Sequence, residues 1–289
     1  MRERAIEQFE SIFERASIPV LDIREIALRR VSLVLKGGRL DESVLKLTDY
    51  LKRRFDALVR VHRPASVAPP AAETLEDRGF EPDVQAFEST AALIGQVALA
   101  HSQLVVIPEP VDEAARVVDF DALVEGCGAP VLLLRTPIEE PAEIFRRILH
   151  SLSGDFQQTQ NFAYSFTLVE NGGTLRLLHA IDEHDVDAVR EALQVSPDVS
   201  DAGEQNVLES LARHGERYLK AVVAASRKYP YDVNYRLELG DIVSAAQAEL
   251  AAGAYGLLVV GRHEERHSRI TAADYQLMHL VRDVPVLAL

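Results

Sequence analysis

The chain has 289 residues, of which 47% are hydrophobic and 26% charged, a balance typical of a soluble globular protein that excludes disordered and collagen-like chains. Its formal net charge of -14 repels nucleic-acid phosphates and anionic lipid surfaces, so we expect no nucleic-acid binding. The single cysteine, Cys127, cannot form an intramolecular disulfide, and no apolar run approaches the roughly 20 residues that cross a bilayer. The start of the chain also lacks the apolar core of a signal peptide, so the sequence predicts a cytoplasmic protein without membrane insertion.

The first 30 residues carry an amphipathic pattern of their own. Ile6, Phe9, Phe13 and Ala16 predict a helix with one apolar stripe, which Pro19 ends. We expect this helix to pack on the domain that follows, and binding of a partner is the alternative.

From residue 31 onward, short apolar runs alternate with longer amphipathic stretches. This pattern is typical of parallel strands covered by helices on both faces, so the predicted class is α/β. The predicted strands are 31–35, 58–62, 84–87 (the weakest), 104–107, 131–134, 145–149, 175–181, 235–239, 257–261 and 285–289.

Helical patterns lie between these runs. The best defined helix begins at Asp241, has Ile242, Ala246 and Leu250 on its apolar face, and ends at Gly253, because a polar residue and a glycine stand where helix caps are preferred. Two other helices are predicted from apolar residues at three- or four-residue spacing: Val44, Leu47, Leu51 and Phe55 in one, and Val207, Leu211, Tyr218 and Val222 in the other.

The two halves of the chain repeat each other. Three pairs of residues are separated by the same distance along the chain: Gly37 and Gly154, Leu58 and Leu175, and His62 and His179. The second copy has a long helical segment at 203–227 where the first has only the Pro- and Ala-rich segment 65–72, so we expect that the first copy has lost a helix. We therefore predict an N-terminal extension (1–30) and two domains (31–136 and 137–289), the first of them reduced.

The second domain resembles the universal stress protein family. The resemblance rests on the order and spacing of ILHSLSG at 148–154, TLRLLHA at 174–180, LGDI at 239–242, GLLVVG at 256–261 and VPVL at 284–287. Residues 31–135 carry it more weakly, through KGG at 36–38, VH at 61–62, QLVV at 103–106 and PVL at 130–132.

This resemblance implies two tandem doubly wound domains, each with a five-stranded, mainly parallel sheet flanked by helices. It also implies that the two domains of one chain form an intramolecular pseudo-dimer. Whether two such chains associate further into a homodimer is left open. Many members of the family bind ATP, through an Asp at the end of the first strand and a motif G-x-x-G, nine residues, G-S/T after the fourth strand. Glycine in such a loop lets backbone N–H groups approach phosphate oxygens.

The second domain departs from this motif. Ser153 stands at the Asp position, and Gly261 is kept, but Glu264 and Asp274 replace the next two glycines and Tyr275 replaces the Ser or Thr. Carboxylates would repel phosphate there. We therefore expect no ATP binding.

The alternative is a nucleotide sensor with a remodelled site. In that reading Ser153, Gly154, Gly261 and Arg262 line the site at the carboxyl edge of the second sheet, and arginines of the following loop replace the glycine cradle. The first domain has Lys36 at the Asp position and no glycine loop, so no nucleotide site is expected in it.

A second motif points to a different chemistry. His263, Glu264 and His267 belong to HEERH, which matches the zinc motif H-E-x-x-H and makes the two histidines candidate metal ligands. A metal-dependent hydrolase is therefore a remote alternative, with Asp274 or His279 as the third ligand to consider. The flanking residues lack apolar periodicity, so the motif is predicted to be a polar loop instead.

His62, His179 and Cys127 are predicted to be packed structural residues, because none has an evident catalytic partner in the sequence. The resemblance implies a protein of the universal stress type, which we expect to be non-catalytic and cytoplasmic. It would act in stress adaptation through protein partners or an unidentified small ligand. No cofactor is expected, and ATP is the alternative.

Overall fold

The computed structural model describes residues 21–81, 83–109, 118–152, 159–181, 201–261 and 271–289, with the backbone alone described at 159–161 and 201–208. They form one ten-stranded sheet with helices on both faces. In the described part of the chain, no helix combines the length and the apolar character that spanning a membrane requires. The predicted N-terminal helix lies outside the described residues.

The described residues of the first half form five strands and four helices. They are β1 (Arg30–Val34), α1 (Asp41–Phe55), β2 (Leu58–Pro64), α2 (Ala72–Glu76), β3 (Val84–Phe87), α3 (Thr90–Leu99), β4 (Leu104–Pro108), α4 (Phe120–Gly126) and β5 (Val131–Leu134).

The second half repeats this order after a short helix. Its elements are α5 (Pro141–Arg146), β6 (Arg147–Leu152), α6 (Thr159–Leu168), β7 (Thr174–Ile181), α7 (Asp201–Ser226), β8 (Asp232–Leu239), α8 (Ile242–Ala252), β9 (Leu257–Val260), α9 (Ala272–Leu280) and β10 (Val286–Ala288).

The strand order across the sheet is β3-β2-β1-β4-β5-β10-β9-β6-β7-β8. All neighbours are parallel except β5 and β10, which pair antiparallel with Leu132 opposite Leu287. Each half is thus a five-stranded parallel sheet with the doubly wound order 3-2-1-4-5, and the two sheets join at their last strands. Because the junction is antiparallel, the carboxyl ends of the strands lie at opposite edges in the two halves.

Two hydrophobic layers hold the helices on the sheet. One face packs against α1, α6 and α7 through buried residues such as Leu47, Phe166 and Val222. The other packs against α3, α4, α8 and α9 through residues such as Leu93 and Leu277. Burial on both faces explains why the central strands are nearly continuous apolar runs.

The structure confirms the α/β class with its mainly parallel, helix-flanked sheet, and each predicted strand is present within a few residues. The prediction of a strand at 145–149 was wrong at its start, because Phe145 belongs to α5 and β6 begins at Arg147. Pro141 in the first turn of α5 favours that helix, and a short apolar run cannot by itself distinguish a buried helix from a strand.

The helix expected to be missing from the first half is shortened instead. Helix α2 has 5 residues and buries Leu75, whereas α7, which occupies the same place in the second half, has 26 residues. The helix predicted from Asp241 is confirmed as α8, in which the Asp241 carboxylate accepts hydrogen bonds from the N–H groups of Val243 and Ser244 and Gly253 follows the last residue.

Candidate functional site

An open parallel sheet binds ligands beyond the carboxyl ends of its strands, where the chain order reverses direction. In the first half this point lies between β1 and β4, and in the second half between β6 and β9. The sequence places the candidate nucleotide residues at the carboxyl edge of the second half and predicts no nucleotide site at that of the first.

A carboxylate of the chain itself occupies the carboxyl edge of the first half. After β1 the backbone turns at Gly37, whose φ of +75° favours glycine. Asp41, at the start of α1, accepts hydrogen bonds from the backbone N–H groups of Lys36 (3.1 Å) and Gly37 (2.7 Å). These N–H groups are therefore bonded to Asp41 where a bound phosphate would need donors.

Two further contacts complete this edge. The Lys36 ammonium lies 5.4 Å from the centre of the Phe120 ring, as a cation–π contact. Beyond β4, the buried Glu109 carboxylate accepts hydrogen bonds from Nε and Nη2 of Arg135 at 3.0 and 2.6 Å. Arg135 Nη1 donates to the carbonyl oxygen of Val281 at 2.6 Å, which links this ion pair to the second half.

At the carboxyl edge of the second half, the structure describes part of the predicted site. Gly261 is buried at the end of β9. Thr271 stands immediately before α9. Its hydroxyl accepts a hydrogen bond from the N–H of Asp274 (3.1 Å) and donates one to the Asp274 carboxylate (2.6 Å). Thr271 is thus the N-cap of α9, and Asp274, the third residue of the helix, is fully buried. The other predicted ligand-binding residues lie outside the described residues: Ser153, Gly154, Arg262, His263, Glu264 and His267.

Two residues that the sequence places near this site instead contact the first half. The Tyr275 hydroxyl donates to the Glu125 carboxylate at 2.7 Å, and His279 Nε2 lies 3.1 Å from Asp121 Oδ1. Burial, and then the hydrogen bond to Glu125, raise the pKa of Tyr275 above its ordinary value. His279 thus contacts the first half of the chain. Within the described ranges, no group of three or more His, Cys, Asp or Glu side chains could hold a metal ion.

The histidines predicted to be equivalent differ in environment. His62 pairs in register with Val34, whereas His179 pairs with Leu152, and these partners lie in the cores on opposite faces of the sheet. The pairing register of β6 with β7 differs by one residue from that of β1 with β2. Because successive side chains of a strand point to opposite faces, this shift places the two histidines on different faces. Both histidines are buried, and burial lowers the pKa of each.

Sequence reasoning gave no role to a third buried histidine. His150, in β6, is fully buried against Phe162, and burial lowers its pKa to about 3. Its Nδ1 lies 2.9 Å from the Ser165 hydroxyl, and its Nε2 has no hydrogen-bond partner in the described ranges. No motif of catalytic or ligand-binding residues marks His150, which lies beside Ser151 in an otherwise mostly apolar strand.

The comparisons with known proteins agree with this architecture. No protein-family model matches the chain, and no curated protein matches it in sequence. Among solved structures, a universal stress protein from Archaeoglobus fulgidus matches with a TM-score of 0.59 and 12% identity, over 89% of this chain and 97% of that one. A protein assigned to the universal stress proteins from Pseudomonas aeruginosa gives 0.61 and 14%, over 91% and 93%.

A protein of unknown function from Pseudomonas aeruginosa is similar to the same degree, with a TM-score of 0.59 and 14% identity over 91% of this chain and 92% of that one. These likenesses extend over nearly the whole length of both chains in each comparison. The chain therefore has the α/β fold seen in universal stress proteins, with a mainly parallel sheet between two layers of helices.

Proposed function

We propose that this chain is a non-catalytic, cytoplasmic protein of the universal stress type that acts in stress adaptation through protein partners or a small ligand other than ATP. The observation that carries the proposal is the pair of hydrogen bonds from the N–H groups of Lys36 and Gly37 to Asp41. The shared fold supports the stress-related role, and the occupied N–H groups support a function without phosphate binding in the first half.

Charge strengthens this argument. A nucleotide at the edge between β1 and β4 would bring phosphates toward the Asp41 carboxylate, and like charges a few ångströms apart repel strongly where water is scarce. Displacing Asp41 would also leave the start of the turn without its hydrogen-bond acceptor. Binding at this edge therefore requires rearrangement of α1, which the nucleotide would have to drive.

The second candidate function is a nucleotide sensor that uses the second half alone. Gly261 lies at the end of β9, which pairs with β6, so it stands at the topological switch point where such a fold binds ligands. Ser153, Gly154 and Arg262 would supply the rest of this site. Against it, the N–H of Asp274 is bonded to Thr271, so the start of α9 has one donor fewer for phosphate.

The metal-dependent hydrolase stays a remote candidate that rests on His263, Glu264 and His267 alone. Stoichiometric zinc in the purified protein, lost together with thermal stability on chelation, would support it. Protein without zinc, whose melting temperature chelators leave unchanged, would remove it.

The division into an extension (1–30) and two domains (31–136 and 137–289) is also part of the proposal. Its support is that the strand order 3-2-1-4-5 occurs once on each side of residues 136 and 137. The two halves then form a pseudo-dimer within one chain, joined at β5 and β10. Sedimentation equilibrium tests for a further homodimer.

Calorimetric titration of the purified, metal-free chain with ATP and Mg²⁺ distinguishes the first two candidates. The non-nucleotide function predicts no saturable heat and no nucleotide carried through purification. Saturable binding at micromolar concentrations would contradict it and would favour the sensor. In that case Arg262→Ala should weaken binding, whereas Asp41→Asn, which changes the first half, should leave the affinity unchanged.

A further inference from the structure

A cavity of about 290 Å³ lies at the amino edge of the first half, opposite to the edge where Asp41 bonds the turn after β1. It is formed where β1 and β2 begin and where the chain leaves α3, and its lining includes Arg30, Leu58, Arg60, Leu99 and Ser102. We propose that this amino-edge cavity binds a small aromatic carboxylate that carries a hydroxyl group. The proposal goes beyond the function argued above, because it concerns the amino edge of the first half and not the carboxyl edge at which Asp41 lies.

The second half has a region equivalent to this cavity. Backbone hydrogen bonds that occur in both halves identify the equivalent residues. The N–H of Gln103 donates to the carbonyl of Arg30, as the N–H of Gly256 does to that of Arg147, both at 2.9 Å. Arg147 is therefore the equivalent of Arg30. Tyr255 precedes Gly256 as Ser102 precedes Gln103.

The helices that lead to these two loops align in the same way. The N–H of Ala100 donates to the carbonyl of Gln96, as the N–H of Gly253 does to that of Glu249. In register, Arg30 pairs with Leu58 and Arg147 pairs with Thr174. Two residues further along these strands stand the equivalent residues Arg60 and Arg176.

The second half fills this place with its own side chains. The Tyr255 ring lies 5.3 Å from the Arg147 guanidinium, and the Tyr255 hydroxyl donates a hydrogen bond to Glu249. The Glu249 carboxylate is 3.4 Å from Arg176 Nε. Gly253 is required beside the ring, because a Cβ at that position would overlap Tyr255. An aromatic ring and a carboxylate thus satisfy the arginines of this half.

The first half keeps the arginines and lacks both of these partners. Gln96 stands in place of Glu249, and Ser102 stands in place of Tyr255, which removes one negative charge and one ring from the site. In the described part of the chain, Arg60 forms an ion pair with Glu81 (3.3 Å, both more than a third exposed), and the Arg30 guanidinium forms none. Glu81 also lines the cavity, so two arginines stand there against one carboxylate, and the cavity has the size and the remaining positive charge to receive a second carboxylate with a ring.

A chain of hydrogen bonds runs from the protein interior to Ser102, which lines the cavity. Gln96 Nε2 donates to the Ala86 carbonyl (2.8 Å), so Gln96 Oε1 accepts from His62 Nδ1 (3.0 Å). His62 Nε2 then accepts from the Ser32 hydroxyl (2.9 Å), and Ser32 Oγ accepts from Ser102 (2.7 Å). The direction of this chain leaves the Ser102 oxygen as an acceptor at the cavity. A ligand hydroxyl is the matching donor.

Apolar side chains flank the same cavity. Leu58 is 61% exposed and Leu99 is 81% exposed, and both are among the large apolar side chains that the structure leaves in solvent. A bound ring would cover them and gain from the removal of their surface from water. Carboxylate, ring and hydroxyl are the three features of a hydroxybenzoate.

Titration of the full chain with 4-hydroxybenzoate, followed by ligand-observed NMR, tests the proposal. We expect saturable binding with a dissociation constant of about 0.1–1 mM, as suits a ligand of this size. 4-Hydroxybenzyl alcohol, which lacks the carboxylate, should bind at least about tenfold more weakly. Absence of saturable binding up to about 10 mM, or equal binding of the alcohol, would overturn the proposal.

Variants locate the site. Arg60→Gln should weaken binding at least about tenfold, because it removes a charge-assisted hydrogen bond. Ser102→Tyr should abolish binding, because it reproduces the ring of the second half, and Ala100→Gly can be added to make room for it. Arg176→Gln, the matched change in the second half, should leave the affinity unchanged. Wild-type affinity in folded Arg60→Gln or Ser102→Tyr protein would overturn the assignment, whatever the outcome of the ATP titration.

Discussion

The guanidinium of Arg135 donates two hydrogen bonds to Oε2 of Glu109 in the interior of the protein, where the two side chains are only 1% and 7% exposed. Glu109 follows β4 and Arg135 follows β5, so neighbouring parallel strands bring the pair together. Through Val281 the same arginine holds the end of α9.

Arg135→Met should lower the free energy of unfolding by about 3–5 kcal/mol, because it leaves the Glu109 carboxylate buried without its cation. Urea unfolding followed by circular dichroism measures the change. The double variant Glu109→Leu with Arg135→Met should be clearly more stable than Arg135→Met alone. A double variant as unstable as the single one would show that the arginine acts through its other contacts.

Tyr275→Phe should destabilise the protein by about 1–2 kcal/mol, because the Tyr275 hydroxyl bonds a carboxylate of the other half. A double-mutant cycle with Glu125→Gln isolates this pair. We expect a coupling energy of about 1 kcal/mol from the four urea unfolding curves. Strict additivity of the two substitutions would mean that the hydrogen bond contributes nothing to the docking of α9 on α4.

Stability should fall as the pH is lowered below about 6.5, the ordinary pKa of histidine. Burial lowers the pKa of His150 to about 3, so between these values the unfolded chain binds a proton that the native protein excludes. This group alone should remove about 1.4 kcal/mol per pH unit. Burial also lowers the pKa values of His62 and His179, and both act in the same direction.

His150→Gln isolates that contribution. Its unfolding free energy, measured in urea at a series of pH values between about 6 and 4, should depend on pH less steeply than the wild type by about 1.4 kcal/mol per unit. The comparison concerns slopes, so a uniform loss of stability in the variant does not disturb it. Parallel curves would contradict the buried, neutral state of His150.

Asp241→Ala should cost about 1 kcal/mol, because the N–H groups of Val243 and Ser244 lose their acceptor at the start of α8. Hydrogen bonds from Ser244 lower the pKa of Asp241, so the carboxylate helps the folded state at neutral pH and loses this effect in acid. Thermal unfolding at neutral pH measures the change. Asp241→Asn, which keeps an acceptor, should retain most of the stability.

The local pattern of apolar and polar residues was sufficient to predict much of the fold. The apolar runs of strand length and the intervening amphipathic stretches predicted an α/β protein, and Asp241 and Gly253 marked the ends of α8. These features depend on periodicity and capping, which neighbouring residues determine. The prediction failed at Phe145 for the same reason, because a short apolar run has no period that separates a buried helix from a strand.

The sites depended on contacts between distant residues. Nothing in the sequence indicates that Asp41 bonds the turn after β1, that Glu109 meets Arg135, or that Tyr275 reaches Glu125. Each contact follows from strand order and helix placement. The recurrence of Gly37, Leu58 and His62 in the second half indicated a repeat, but it could not show that the second register is shifted by one residue.

The sequence by itself determined the fold class and the chemical types of the candidate residues, because these follow from composition and periodicity. Only the tertiary structure decided which face His62 and His179 occupy, and that the Tyr255 ring fills a place that is open beside Ser102 in the first half. The physical reason is that a cavity or an ion pair is a relation between side chains far apart in the chain, which strand register and packing alone bring together.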